Sequence, residues 1–346
     1  MSAVIAIAIS VLPVFLFLGA LVLIDSYKLV SVRAVLLAVG AGVIAAAASY
    51  AVNVWLRTTG IDGVAYSRYV GPVVEETLKA AYIAFLMARN RVGFVVDAAI
   101  LGFAVGTGFA LLENTYYLSD PNATVWTWVV RGFGTAVMHG GATALVAMVA
   151  RVLHNRARVF SAHLLVPGLL LSIVLHSLYN HFIVQPLLAT ALIMLALPSL
   201  AIALFNQSER DTRAWLGTAF DTDQELLRAM RSGHVSQTPT GQYVSGLRSR
   251  FAPEVIVDML CLLRLRAELG IRAKGMLMLR EAGFDAAPQV GDDLAVRHTF
   301  DEVRYLEKSI GRTGMLALHP LIHTSTRDLW QLNLLDDATG ETEAGT

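Results

Sequence analysis

Two adjacent glutamates and a lysine stand inside an apolar run, in the stretch Gly71-Pro72-Val73-Val74-Glu75-Glu76-Thr77-Leu78-Lys79. On insertion scales, an acidic or basic side chain costs about 2.5–3.5 kcal/mol at the centre of a membrane helix. Three such groups within about one helical turn demand either a chemical task or an obligatory set of partners. The surrounding chain makes lipid the relevant solvent. Of 346 residues, 55% are hydrophobic and 16% charged, and the apolar residues gather before about position 205.

Apolar segments near 3–24, 33–56, 70–88, 93–118, 125–152, 160–183 and 187–205 follow one another. They predict an all-α polytopic membrane protein of about seven transmembrane helices, the third being the least apolar. The first segment lacks a basic n-region and is long enough to span, so it predicts a helix rather than a cleaved signal. Basic residues mark alternate ends: Lys28 and Arg33, then Arg89 and Arg91, then Arg151, Arg156 and Arg158, then Arg210 and Arg213. The opposite ends carry little beyond Arg57 and Arg68. The positive side is expected to be cytoplasmic, which puts the N-terminus outside and the C-terminus inside. Trp55, Tyr66, Tyr69, Tyr116, Tyr117, Trp126, Trp128 and Tyr179 fall at the expected outer ends, as an interfacial belt would.

The domain organisation expected is a membrane domain over 1–205 and a soluble, helical cytoplasmic tail over 206–346. A Ser/Thr/Gly/Gln-rich linker is expected at about 233–249. Helical spacing marks Pro253 to Arg280 and Phe300 to Leu318, and Asp336 to Thr346 reads as disordered. The formal net charge of zero gives no sign of a nucleic-acid partner. The single cysteine, Cys261, excludes an intramolecular disulfide and a multi-cysteine zinc site. His319 and His323 are four apart, but Pro320 between them spoils a metal-binding helix face. Gly106-Thr107-Gly108 follows no strand and is not a phosphate loop. Gly102 and Gly106 read as close helix packing.

The topology predicts where the membrane's polar groups meet. Glu75 and Glu76 fall about 8–10 Å below the outer end of their helix, and Glu113 about 8 Å below the outer end of the next. Arg131 lies at a similar depth, His139 about midway, and His176 and Asn180 in an outer third. Buried polar groups in lipid face one another or a water-filled cavity, so these residues are expected to converge. Each also has a purely structural reading. Lys79 sits three and four residues from the two glutamates and can pair with either. Glu113 can bond to Asn114 or the Trp126 indole, and Arg131 can serve as a counter-ion. His139 alone fits a hydrogen-bonded core histidine, and His176 with Asn180 fits helix–helix bonding. His154 and His163 are expected to be solvated, and His181 interfacial.

Glu75-Glu76-Thr77-Leu78-Lys79 resembles the EExxK motif of the PrsW-type intramembrane proteases. Gly108 to Tyr117, with Phe109 and Glu113 separated by three residues, looks like their second motif. Met138-His139-Gly140-Gly141-Ala142-Thr143 resembles the third, and His176-Ser177-Leu178-Tyr179-Asn180 the fourth. The family is related to CAAX prenyl proteases and bacteriocin-immunity membrane proteins, whose second motif usually has His where this chain has Glu113. The resemblance implies hydrolysis of a peptide bond in or near a bacterial cell membrane. The substrate it implies is a single-span, membrane-anchored protein such as an anti-sigma factor.

Amide hydrolysis needs an activated water, a stabilised oxyanion and a proton for the leaving amine. The catalytic set expected is Glu75 or Glu76 as base, Glu113 on the same water, and His139 orienting a carboxylate or substrate. By resemblance, His176 and Asn180 would donate to the oxyanion, with Lys79 and Arg131 supporting the cluster. No cofactor is required by this scheme. A metal version would use zinc held by Glu75, Glu76, Glu113, His139 and His176, although no HExxH is present. Two other classes share the composition: an ion- or proton-coupled transporter, and a non-catalytic binding protein offering its tail to a cytoplasmic partner. No inverted repeat supports the transporter.

Overall fold

The computed structural model describes residues 3–25, 27–118, 120–157, 160–284, 290–322 and 326–344, and no strand occurs among them. The chain forms two compact units, Met1–Glu209 and Arg210–Thr346. In the first unit the long helices are α1 (Ala3–Ile24), α2 (Val32–Arg57), α3 (Gly71–Ala88), α4 (Val95–Tyr117), α5 (Ala136–Arg156), α6 (Val166–Asn180) and the start of α7 (Pro186–Arg231). Local chemistry sets their starts. The Ser31 hydroxyl accepts the Ala34 N–H to cap α2, and Pro residues occupy the first turns of α3 and α6. Asp97 accepts the Gly93 and Phe94 N–H groups at 2.7 and 3.1 Å, closing the turn that opens α4.

Among the described residues, six helical stretches are long and apolar enough to cross a membrane: Ile5–Ile24, Val32–Leu56, Val95–Tyr117, Val125–Asn155, Ala162–Asn180 and Pro186–Arg231. The other expected span forms as well, as the 18-residue helix α3. Its three ionisable side chains leave it less apolar than the six. The chain is therefore an all-α, polytopic integral membrane protein.

Helix α4 is the centre of the first unit. Within its spanning stretch 83% is buried, against 28% for those of α1 and α6. Glycines make this possible. A Cβ on Gly102 would lie 2.7 Å from the Ala144 Cα, and one on Gly106 would lie 2.3 Å from the His139 carbonyl oxygen. On the other side of α4, a Cβ on Gly108 would lie 1.9 Å from the Val39 carbonyl oxygen of α2. Backbone thus packs on backbone, the arrangement small residues provide where lipid offers no hydrophobic drive. Ile100, Phe103, Val105, Val137 and Val146 fill the core around these crossings.

Several expectations change. Helix α7 does not end near 205 but runs to Arg231, because no proline or helix-ending signal intervenes. The segment 233–249 is not an extended linker. Thr238 caps a helix α8 (Pro239–Gly246), and Val244 and Leu247 are buried in the second unit's core. That core also takes residues of α9 (Pro253–Glu281), α10 (Val290–Leu318) and α11 (Thr326–Ala344). Helix α11 covers 336–344, expected to be disordered, and its Trp330 and Leu335 are buried. His154, expected to be solvated, is buried edge-on against Phe160, because α5 continues past it. His163 is exposed, with Nδ1 2.8 Å from the Ser161 hydroxyl. Arg158 and His323 lie outside the described residues.

Gly106→Leu should destabilise the detergent-solubilised protein by at least about 1–3 kcal/mol, as overpacking against backbone does. Gly40→Leu, where nothing lies within 4 Å, should leave the thermal midpoint unchanged. Equal midpoints for the two variants would contradict the packing described.

Candidate active site

Two π-turns open the site. The first, Tyr66–Val70, leads into α3, and the second, Val130–Thr135, leads into α5. A π-turn inserts one residue into a helix, re-aims the residues that follow and disturbs the local backbone bonding. Here α6 meets the first π-turn with side-chain donors. Ser177 Oγ donates to the Arg68 carbonyl at 2.6 Å, and Asn180 Nδ2 donates to the Ser67 carbonyl at 2.9 Å. Asn180 thus bonds backbone beside the site and is not joined to the polar cluster.

The floor of the site is an ion pair sealed from solvent. Lys79 Nζ lies 2.6 Å from Glu76 Oε1, and both side chains are 0% exposed. Of the two possible partners for Lys79, the structure thus selects Glu76. Ser172 Oγ donates to Glu76 Oε2 at 2.7 Å, and His176 Nδ1 lies 2.8 Å from Glu76 Oε1. Lys79 Nζ also lies 3.2 Å from His139 Nδ1 and 4.8 Å from the centroid of the Phe109 ring. The two imidazoles meet edge to face, with centroids 4.8 Å apart.

The rim is more open. Glu113 is 26% exposed, with Oε2 2.9 Å from His139 Nε2 and Oε1 3.1 Å from Arg131 Nη2. The Arg131 contact is an ion pair without hydrogen-bond geometry. Arg131 is held instead by Nε on Asn114 Oδ1 at 2.9 Å and by stacking over Tyr117 at 3.7 Å. Asn114 in turn donates to the Ser10 carbonyl of α1 at 2.7 Å. Glu113 therefore bonds to neither Asn114 nor Trp126. Glu75, 19% exposed, makes no side-chain hydrogen bond among the described residues, and its Oε2 lies 3.8 Å from His176 Nε2.

The structure thus joins Glu75, Glu76, Lys79, Glu113, Arg131, His139 and His176 and leaves Asn180 outside. Ser172 and Ser177 were missed by the sequence reading. Ser172 is four residues before His176, on the same face as His176 and Asn180, and that spacing was the available signal. His181, expected at an interface, bonds the Ser177 carbonyl and approaches the Tyr69 hydroxyl at 3.1 Å.

Ligand atoms of Glu75, His139 and His176 lie within 4.8 Å of one another, so residue types and spacing suit a metal with an open fourth position. The hydrogen bonds suit it only in part. With Nδ1 on Glu76, His176 keeps Nε2 free, the carboxylate–histidine arrangement typical of ligands. His139 has both nitrogens engaged, Nδ1 by Lys79 and Nε2 by Glu113.

No curated protein and no solved structure matches this chain. A family model does, described as "PrsW family intramembrane metalloprotease", over residues 27–204. The matched stretch contains every member of the polar cluster. With half the chain matched and the cluster assembled among membrane helices, this protein belongs to the PrsW family of intramembrane metalloproteases.

Proposed function

We propose that this chain hydrolyses a peptide bond of a single-span, membrane-anchored protein, with Glu75 activating the water. The observation that carries this reading is the inequality of the two adjacent glutamates. Glu76 is spent: sealed from solvent, it answers Lys79, Ser172 and His176. Glu75 is partly exposed, has no hydrogen bond among the described residues and faces His176 Nε2. A water between Glu75 and His176 Nε2 meets two acceptors, one of which can take its proton as it attacks the carbonyl. Glu75 then carries the proton that the leaving amine needs. Arg131, tethered through Asn114, and His139 keep Glu113 in place at the opposite rim.

A divalent ion, where bound by Glu75 and His176, would supply Lewis acidity to the carbonyl and lower the pKa of a bound water. The steps assigned to Glu75 and His176 do not require it, since each has the lone pair the water needs. An anti-sigma-factor-like substrate is supported by the motif resemblance. Cleavage near the outer face of a bacterial membrane, with the C-terminal unit cytoplasmic, is supported by the basic residues at alternate helix ends.

Glu75→Gln should lower cleavage of a co-expressed single-span protein at least about 100-fold, while stability stays near that of the parent. Glu76→Gln should instead lose about 3–5 kcal/mol of stability, because it leaves Lys79 buried without its anion. Wild-type cleavage by Glu75→Gln would end the proposal and favour a transporter or binding protein.

Asn180→Ala should keep cleavage within about tenfold, since loss of an oxyanion donor would cost about 10²–10³. A larger loss would return Asn180 to the oxyanion role. Purified protein should also retain turnover after exhaustive chelation, with no metal found by elemental analysis. Activity lost on chelation and restored by zinc would transfer the chemistry to a metal.

A further inference from the structure

Lys79 Nζ approaches His139 Nδ1 at 3.2 Å. It determines more than charge balance. An ammonium has three donors and no acceptor, so the nitrogen it faces must be a lone pair. Nδ1 of His139 therefore carries no proton, and neutral His139 carries it on Nε2, donating to Glu113 at 2.9 Å. His176 is read the other way. Its Nδ1 faces a carboxylate oxygen of Glu76, an acceptor, at 2.8 Å. Nδ1 of neutral His176 thus carries the proton, and Nε2, 3.8 Å from Glu75 Oε2 and beyond hydrogen-bond distance, is left with the lone pair.

We propose that the buried Glu76–Lys79 pair is a tautomer selector that gives the two histidines opposite roles, His176 accepting and His139 donating at Nε2. Lys79 is then a positioning residue acting through His139. The two imidazoles are only 4.8 Å apart at their centroids and share one apolar enclosure. At Nδ1 the two rings face groups of opposite sign, Lys79 behind His139 and Glu76 behind His176, and at Nε2 only His139 has a hydrogen-bond partner, Glu113. The inference also explains the partial fit to a metal. Coordination through His139 Nε2 needs the proton on Nδ1, where Lys79 already points a donor. His139 is therefore a hydrogen-bond donor at the rim and not a metal ligand. The tautomers stand on geometry alone, whereas their catalytic consequence rests on the peptidase reading above.

The test uses the full chain in detergent with ring-¹⁵N histidine, whose long-range ¹H–¹⁵N correlations distinguish protonated from bare ring nitrogens. His139→Gln and His176→Gln identify the two signals. Wild type should show His176 with the proton on Nδ1 and His139 with the proton on Nε2. Zinc added in excess should shift His176 and leave His139 in place. Lys79→Met should let a proton reach Nδ1 of His139 as well, because Glu113 still accepts from Nε2 and nothing then opposes a proton on Nδ1, while Lys79→Arg, another donor-only cation, should keep Nδ1 bare.

The proposal is overturned if wild-type His139 is protonated on Nδ1, if zinc coordinates it, or if Nδ1 stays bare in Lys79→Met. Should Lys79→Met fail to fold, the wild-type and zinc spectra decide alone. Opposite tautomers in a protein that cuts nothing would defeat the peptidase reading only. Cleavage with the tautomers reversed would defeat the selector only.

Discussion

The Glu76–Lys79 pair is the contact on which the membrane unit depends. Removing two charges from water costs several kcal/mol for each ion, and one mutual contact does not repay that. The surplus must come from other donors and acceptors, which is why the pair is so fully surrounded. Ser172 and His176 reach Glu76 from α6, His139 reaches Lys79 from α5, and the Phe109 face reaches Lys79 from α4. Four helices are thereby held to one register. Because α6 carries most of its surface outward, these polar contacts do for it what apolar burial does for α4.

Close approach is the second requirement, and it is met by absence of side chains. Hydrogen bonds between helices need donor and acceptor within about 3 Å, which bulky residues at the crossings would prevent. Gly106 sits against the backbone of His139 itself, so the glycine that lets α4 and α5 touch also sets the position of an imidazole of the polar cluster. Packing and chemistry meet at one residue there.

Much of this was legible in the sequence. Long apolar runs report spans directly, since length and composition are what a bilayer selects. Convergence of Glu75, Glu113, Arg131, His139 and His176 followed from placing ionisable groups at comparable depth. Three things were hidden. The π-turns leave no compositional mark, yet one of them presents the Ser67 carbonyl that Asn180 bonds. The choice of Lys79 between two glutamates, three and four residues away, depends on which one α6 also contacts. The fate of 206–249 turned on breakers: without a proline, α7 continued to Arg231, and Thr238-Pro239 started a new helix where a polar composition suggested a linker.

The sequence separations within the cluster carry a last consequence, for the order in which the ribosome supplies its parts. His139 lies 60 residues beyond Lys79, and His176 lies 100 residues beyond Glu76. At about 5–20 residues per second, α3 exists for several seconds before either histidine is made. During that interval, neither His176 nor Ser172 is there to meet the Glu76 carboxylate. Lys79, one turn away, is available as soon as α3 winds. The pair that later orders the finished site is thus also the nascent helix's own passport into the bilayer.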